Sequence, residues 1–317
     1  MQTGLIIFFD ETDPAYAKQL AGTNLDIIGI HPWGGKRSRE SVDLTLERIH
    51  TEEYGEFARI IRENGKKIEF EAHVHSWLLP NELFPEHPLW FREDITGKRA
   101  NDYNMCVSNQ EGLDYLASRA ENLAGLLVND TSEYFWWSDD VNGDCFCHCP
   151  ECRNLSISDQ YLIWCNTVLS GIRRKNPAAK LCYLAYYGMM RPPEKIKPAP
   201  GIFLEFAPIQ RDSYISIDNN DCENNRKEIA HLPELMNFFG VKNSRVLEYW
   251  LDNSRFSGWK TPLRKFQFDA EIMSRDVHYY RSLGFETMTC FACSLGAEYQ
   301  KEYSPVDFNT YASVLRS

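Results

Sequence analysis

The chain predicts a single-domain (β/α)8 TIM barrel, and three observations lead there. Eight short β-rich runs recur along 317 residues, amphipathic stretches separate them, and no low-complexity segment, Ser/Gly linker or composition break divides the chain. A hydrophobic content of 43% and a charged content of 25% are ordinary for a globular chain of this size.

The runs are Leu5–Phe9, Asp26–His31, Lys67–His75, Glu133–Asp139, Lys180–Tyr187, Ile202–Ala207, Arg245–Asp252 and Glu286–Cys293. Each has strand length, is rich in Ile, Val, Phe, Tyr or Trp, and follows a turn signal. Asn64-Gly65 and Leu283-Gly284 stand where a glycine closes a helix just before a strand. The clearest helical patterns between runs are Thr51–Arg62, Glu111–Leu126, Asp159–Arg174, Glu223–Phe239 and Lys265–Arg281, and Pro305–Leu315 reads as a closing helix. The segment GMMRPPEKIKPAPG after the fifth run is too proline-rich for a crossover helix, so one crossover is expected to be irregular. An open doubly wound sheet is the alternative architecture. Against it, FFDETDP stands where a Gly-rich phosphate loop would follow the first strand, and charges on one face of several runs do not suit a sheet buried on both sides.

A net charge of −11 argues against a nucleic-acid partner. No apolar run approaches the ~20 residues of a membrane span. MQTGLIIFFDETDP lacks the basic n-region of a signal peptide, so a cytoplasmic location is expected, with the ten cysteines reduced and some of them metal-bound.

Catalytic groups of such barrels sit at the C-terminal ends of strands. Alternation in KKIEFEAHVHS puts Glu69, Glu71, His73 and His75 on one face, and in VLEYWLDN it does the same for Glu248, Trp250 and Asp252. The sixth run carries Glu205, and Arg211 follows in APIQR. Inward charges require partners or a wet cavity. An acidic, aromatic pocket is therefore expected, with carboxylates for sugar hydroxyls and Trp or Tyr faces for sugar rings.

The richest stretch is EYFWWSDDVNGDCFCHCPEC, residues 133–152. Its aromatic strand ends in Asp139 and Asp140. Glycosidases need a proton donor at the leaving oxygen and a second group that stabilises an oxocarbenium-like transition state. A polar loop or capping turn is the plainer account of Asp-Asp-Val-Asn-Gly-Asp. The strand context and Trp136-Trp137 favour chemistry, with one carboxylate in the site and the other supporting the loop. The second group is Glu248 or Asp252, at roughly 5–5.5 Å from the acid in a retaining enzyme. Alternatively the substrate's own 2-acetamido group attacks, with Asp139 orienting it and Asp140 donating the proton. Glu248 also reads as a structural charge paired with an Arg or His.

His73-x-His75 is a ligand spacing of metal-dependent hydrolases as well. The fifth and sixth runs carry no further His, so hydrogen bonds to sugar hydroxyls or to Glu71 are the expectation. Cys147, Cys149 and Cys152, spaced C-x-C-x-x-C, supply three thiolates for zinc. The fourth ligand is Cys145 or, from the preceding βα loop, Cys106 in YNMCVSN. Such a closed site pins a loop and does not activate water; free thiols are the alternative.

HPLWFREDITGKRANDYNMCVSN, WWSDDVNGDCFCHCPEC and LAYYGMMRPPEKIKPAPGIFLEFAPIQR resemble the TIM-barrel family known as domain of unknown function 4838, as do EYWLDNSRFSGW and LGFETMTCFACSLGAEY. That family is similar to glycoside hydrolases, and some members look like endo-β-N-acetylglucosaminidases. The chain also resembles, more weakly, family 42 β-galactosidases. Carried over by position, that likeness implies Asp140 as acid/base and Cys106, Cys147, Cys149 and Cys152 as zinc ligands. The departure is Asp-Asp where that family has Asn-Glu, which withdraws the carboxyl by about one methylene and is closer to substrate-assisted hexosaminidases.

Together these features predict a glycoside hydrolase acting on a β-linked sugar of an oligosaccharide or glycan, with structural zinc and no organic cofactor. Asp140 is the acid, Asp139 its partner, and Glu248 or Asp252 the second carboxylate. His73, His75, Trp137, Tyr187, Glu205, Arg211 and Trp250 line the sugar subsite. A non-catalytic carbohydrate-binding barrel is the rival from another class.

Overall fold

The eight β-rich runs become Gln2–Phe8 (β1), Ile27–His31 (β2), Lys67–His73 (β3), Glu133–Trp137 (β4), Lys180–Ala185 (β5), Ile202–Phe206 (β6), Arg245–Glu248 (β7) and Thr287–Phe291 (β8). In the computed structural model, which describes residues 1–317, each strand pairs in parallel with the next and β8 closes on β1. The fold is a closed (β/α)8 barrel, as the alternation predicts, and the open-sheet alternative is excluded.

Helices cover the outside where the sequence offers caps and an apolar stripe. Glu52–Glu63 starts at Thr51, whose Oγ1 accepts from the Tyr54 N–H, and it buries Phe57 and Ile61. Ser156 and Asp159 form a reciprocal capping box that starts Ile157–Ile172. The expected helix Glu223–Phe239 is two, Glu223–Ile229 and Leu232–Phe239, because Pro233 must open a helix and cannot continue one. The pattern over Lys265–Arg281 becomes helical only at Ala270, after Asp269 caps the N–H groups of Glu271 and Ile272. The closing helix is Phe308–Arg316. After β5 the proline-rich segment makes only a short 3-10 turn, Tyr187–Met189, before β6. No helix is long and apolar enough to cross a membrane.

Two strands end earlier than the sequence suggests, and this moves side chains. At Val74 the backbone leaves extended geometry and the helix His75–Leu78 begins, so His75 does not continue the inward face of Glu69, Glu71 and His73. Likewise β7 stops at Glu248. Arg245, Leu247 and Tyr249 take its inward parity, which sends Glu248 outward.

Inside, the lower barrel is plugged by charge. Both terminal nitrogens of Arg245 donate to Glu69 Oε2 at 3.0 Å, and Nη1 also reaches Glu71 Oε1 at 3.4 Å. Its guanidinium lies 3.7 Å from the centre of the Phe135 ring. Gly29 makes room for this layer, since a Cβ there would stand 2.9 Å from Glu71 Oε1. Above the plug the barrel opens into a cavity.

Candidate active site

The last inward residues of the strands, among them Phe8, His31, His73, Trp137, Tyr249 and Phe291, make the floor and walls of a cavity of about 790 Å³. It lies at the C-terminal end of the barrel, where this fold carries its chemistry. The rim brings six carboxylates, Asp10, Glu11, Asp13, Asp140, Asp252 and Glu298, against two cations, Arg37 and Lys260. Trp33, Tyr186, Tyr187 and Trp259 add aromatic surface.

Asp140 stands just beyond β4 and faces this space, with 27% of its side chain exposed. The Tyr186 hydroxyl donates to its Oδ1 at 2.9 Å, and His73 Nε2 is 3.9 Å from the same oxygen. His73 Nδ1 sits 2.6 Å from the Ser138 carbonyl, which fixes the proton on that nitrogen and turns Nε2 toward Asp140. Gly34 closes in from the other side: a Cβ there would stand 2.5 Å from Asp140 Oδ2. A side chain at this position would push the carboxylate out of its present place.

Asp139 takes the opposite direction. Its Oδ2 accepts from the Asn104 N–H at 2.7 Å, and its own N–H donates to Asn104 Oδ1 at 3.1 Å. It ties the β4 loop to the β3 loop and does not line the cavity, so its expected place beside the substrate is corrected to a supporting one.

Of the two candidates on the seventh run, only Asp252 reaches the cavity. Its Oδ1 caps the short helix Asn253–Phe256, accepting from the Arg255 N–H at 3.2 Å and from the Ser254 hydroxyl at 2.5 Å. Burial pushes this carboxyl above its ordinary range. Glu248 is corrected: it lies behind the wall, where Arg211 Nη1 and the Tyr280 hydroxyl each donate to its Oε1 at 2.6 Å. Arg211 Nη1 also donates to Asp276 at 2.6 Å, and the Trp250 indole donates to Asp276 at 2.8 Å. Arg211 and Trp250 therefore belong to a buried network between barrel and helix Ala270–Ser282, not to a sugar subsite.

Trp137 and Tyr187 line the cavity as expected. Glu205 lies one layer lower, fully buried, where its Oε2 accepts from the Trp137 indole at 2.9 Å and holds that ring in place. Desolvation raises its carboxyl to about 7 despite Arg245. His75 is buried outside the cavity and accepts from the Trp164 indole at 2.9 Å. His73 and His75 thus do not converge, and the metal-hydrolase pattern loses its ligand pair.

The thiols do converge. Cys106, Cys147, Cys149 and Cys152 place their sulfurs within 4.8 Å of one another, all buried. Cys106 Sγ is 3.6 Å from that of Cys149 and 3.9 Å from that of Cys152. A tetrahedral Zn–S4 site has sulfur–sulfur edges of about 3.8 Å. Cys106 is the fourth member and Cys145 stands apart, so the four residues could hold zinc and join the β3 and β4 loops. The Glu93 N–H donates to Cys147 Sγ at 3.3 Å, as a thiolate needs.

Sequence reasoning missed His31, Tyr186 and Tyr249, together with Asp10 in FFDETDP. The signal for them was the strand-end rule itself, applied to the first, second, fifth and seventh runs. Strain marks the same region: three of the four non-glycine residues with positive φ line the cavity, and the fourth lies behind it. Tyr187 (45°), Trp259 (53°) and Ser294 (62°) line the cavity, and Asn104 (47°) holds Asp139.

Among solved structures the chain is similar to a GH42 β-galactosidase, Gan42B, at 10% identity and TM-score 0.55, covering 99% of this chain and 55% of that one. It is also similar to a glycoside hydrolase family 5 enzyme of Prevotella bryantii B14 (10%, 0.53, covering 96% and 86%). A mutant O-GlcNAc hydrolase of Thermobaculum terrenum is a third (11%, 0.53, covering 100% and 59%). The chain spans just over half the length of the first and third. At these identities the likeness is one of fold. No curated protein matches the sequence. The family model described as "Domain of unknown function (DUF4838)" matches residues 38–305, and the chain belongs to that family.

Proposed function

We propose that the protein is a glycoside hydrolase acting on a β-linked sugar, with Asp140 as general acid and Asp252 as the second carboxylate. The observation that carries this reading is the setting of Asp140. It is a strand-end carboxyl, held by the Tyr186 hydroxyl beside His73, in an aromatic-walled cavity that Asp252 also lines. Similar solved structures being glycoside hydrolases supports a glycosidase in general.

In this scheme the sugar ring lies against Trp137. Asp140 gives its proton to the glycosidic oxygen as the bond to the anomeric carbon breaks. Asp252, through the Oδ2 that its capping bonds leave free, stabilises the positive charge on the anomeric carbon until a water molecule adds there and gives up its proton to a carboxylate of the site. Asp139 acts only through the loop it ties down, so a scheme in which it orients a 2-acetamido group lacks its second residue. Zinc on Cys106, Cys147, Cys149 and Cys152 would hold the two loops that carry Asn104 and Asp140, and would take no part in bond cleavage.

Aryl β-glycosides with and without a 2-acetamido group test the proposal. Turnover that falls by orders of magnitude in Asp252→Asn is the expected result. Turnover confined to 2-acetamido substrates and indifferent to Asp252→Asn would give the second role to the substrate. Binding without turnover of any glycoside would leave a carbohydrate-binding barrel.

A further inference from the structure

His31 closes β2 at the floor of the cavity, with 6% of its surface exposed. Phe291, Trp137, Phe8 and His73 surround its ring, with centroids 5.0, 5.6, 6.0 and 6.2 Å away. Its Nδ1 lies 2.6 Å from the carbonyl oxygen of Glu71. A carbonyl only accepts, so Nδ1 carries the proton. Burial, reinforced by His73, lowers this imidazole to about 4, and the ring is neutral at neutral pH. Its Nε2 is then a bare lone pair on the opposite edge of the ring, and no protein donor reaches it. Nε2 is not closed off from the cavity, so a ligand that displaces water from it must bring a donor of its own or leave the acceptor unpaired, which is costly. Neither the proton transfer by Asp140 nor the role of Asp252 uses it.

We propose that His31 is a specificity-determining residue whose Nε2 accepts a hydrogen bond from one free hydroxyl of the sugar ring seated on the cavity floor. The inference rests on the glycosidase reading and narrows its substrate class. The surrounding rings offer apolar faces to the C–H side of a pyranose. The lone pair demands a donor at one position: a hydroxyl satisfies it, whereas an ether, an ester or a deoxy carbon does not. A site built on such a bond rejects the ligand that lacks it far more strongly than an apolar pocket rejects a missing methylene. The substrate is therefore a sugar left unblocked at that hydroxyl, and O-alkylated or O-acylated versions are refused.

The test measures Kd and kcat/KM for phenyl β-hexopyranosides of gluco, galacto and 2-acetamido-gluco configuration, with their monodeoxy and deoxyfluoro analogues. In the unaltered protein one deoxy position is expected to lose roughly tenfold or more. Fluorine at that position, which cannot donate, loses as much as hydrogen. Retained binding of the fluoro sugar would overturn the inference without any variant. His31→Asn keeps a donor for the Glu71 carbonyl and, being shorter, leaves no acceptor at the position of Nε2, so it binds the parent sugar about tenfold more weakly and no longer discriminates against that deoxy sugar. Equal discrimination in both proteins at every position would overturn the role of His31 and leave the glycosidase reading standing. Absence of binding and turnover for all three parents would overturn both.

Discussion

The Tyr186 hydroxyl donates to Oδ1 of Asp140 across 2.9 Å, joining the residues that leave two neighbouring strands, β5 and β4. With His73 Nε2 3.9 Å from the same oxygen, this bond aims the carboxyl into the cavity. A proton donor a fraction of an ångström out of line loses much of its effect, so a single bond of this kind matters for rate.

Tyr186→Phe removes that donor and leaves the ring. Because a hydrogen bond to a charged group is worth about 1.5–3 kcal/mol, kcat/KM should fall about tenfold to a hundredfold. The melting temperature should stay within a few degrees, as little packing is lost. Steady-state kinetics beside a thermal melt check both; a large loss of stability with unaltered turnover would make the phenol structural.

Glu248 should matter in the opposite way. Glu248→Ala leaves Arg211, which has no exposed side-chain surface, with Asp276 as its sole carboxylate. Breaking such a buried network costs about 3–5 kcal/mol, and the melting temperature should drop by roughly 10 °C. Turnover by the folded protein should hold within a few-fold. Loss of turnover with an unaltered melt would return Glu248 to the site.

How much of this was legible follows from where strand geometry ends. Alternation gave the barrel and the inward Glu69, Glu71 and His73, because a period of two holds as long as the strand does. It failed for His75, which lies past the end of β3 where the backbone turns into a helix; for Glu248 and Trp250 the alternation held but the inward face was the other one, that of Arg245, Leu247 and Tyr249. Strand pattern alone did not separate Asp139 from Asp140, and the choice of Asp140 came from the family 42 likeness, since the Asn104 that captures Asp139 arrives from 35 residues upstream. The thiol cluster was legible because ligand spacing is local for three of its members. His31 was overlooked although it ends its run, DIIGIH, because a single histidine beside apolar residues also fits a core position and only the strand-end rule sets it apart.

The four thiols predict a metal content. About one zinc per chain should be found by elemental analysis, and Cys149→Ser should abolish it. Chelation should lower the melting temperature and expose the β3 and β4 loops to protease, since the metal holds folded geometry together. Turnover should decline only as the loops loosen. Full stability and loop protection in a metal-free protein would contradict the assignment.

The buried carboxyls predict a pH dependence of stability. Glu205 is raised from 4.5 to about 7, first by desolvation, and Glu71 is raised for the same reason with Glu205 adding to it. A raised carboxyl binds its proton more tightly folded than unfolded. Its contribution is therefore complete below about pH 4.5 and lost as pH rises through about 7. Glu205→Gln keeps an acceptor for the Trp137 indole and removes the titration. Its melting temperature should change less between pH 5 and pH 8 than that of the unaltered protein, by a few degrees. An identical pH dependence in both would show that Glu205 does not titrate in that window.

The central claim is that Asp140 protonates the leaving group, and its dependence on leaving-group basicity tests this most directly. With Asp140→Asn, glycosides of basic alcohols should lose about 10²–10⁴-fold in kcat/KM, because their oxygen departs only when protonated. Dinitrophenyl glycosides, whose oxygen departs unaided, should lose far less. Uniform losses across the series, or none, would contradict the account.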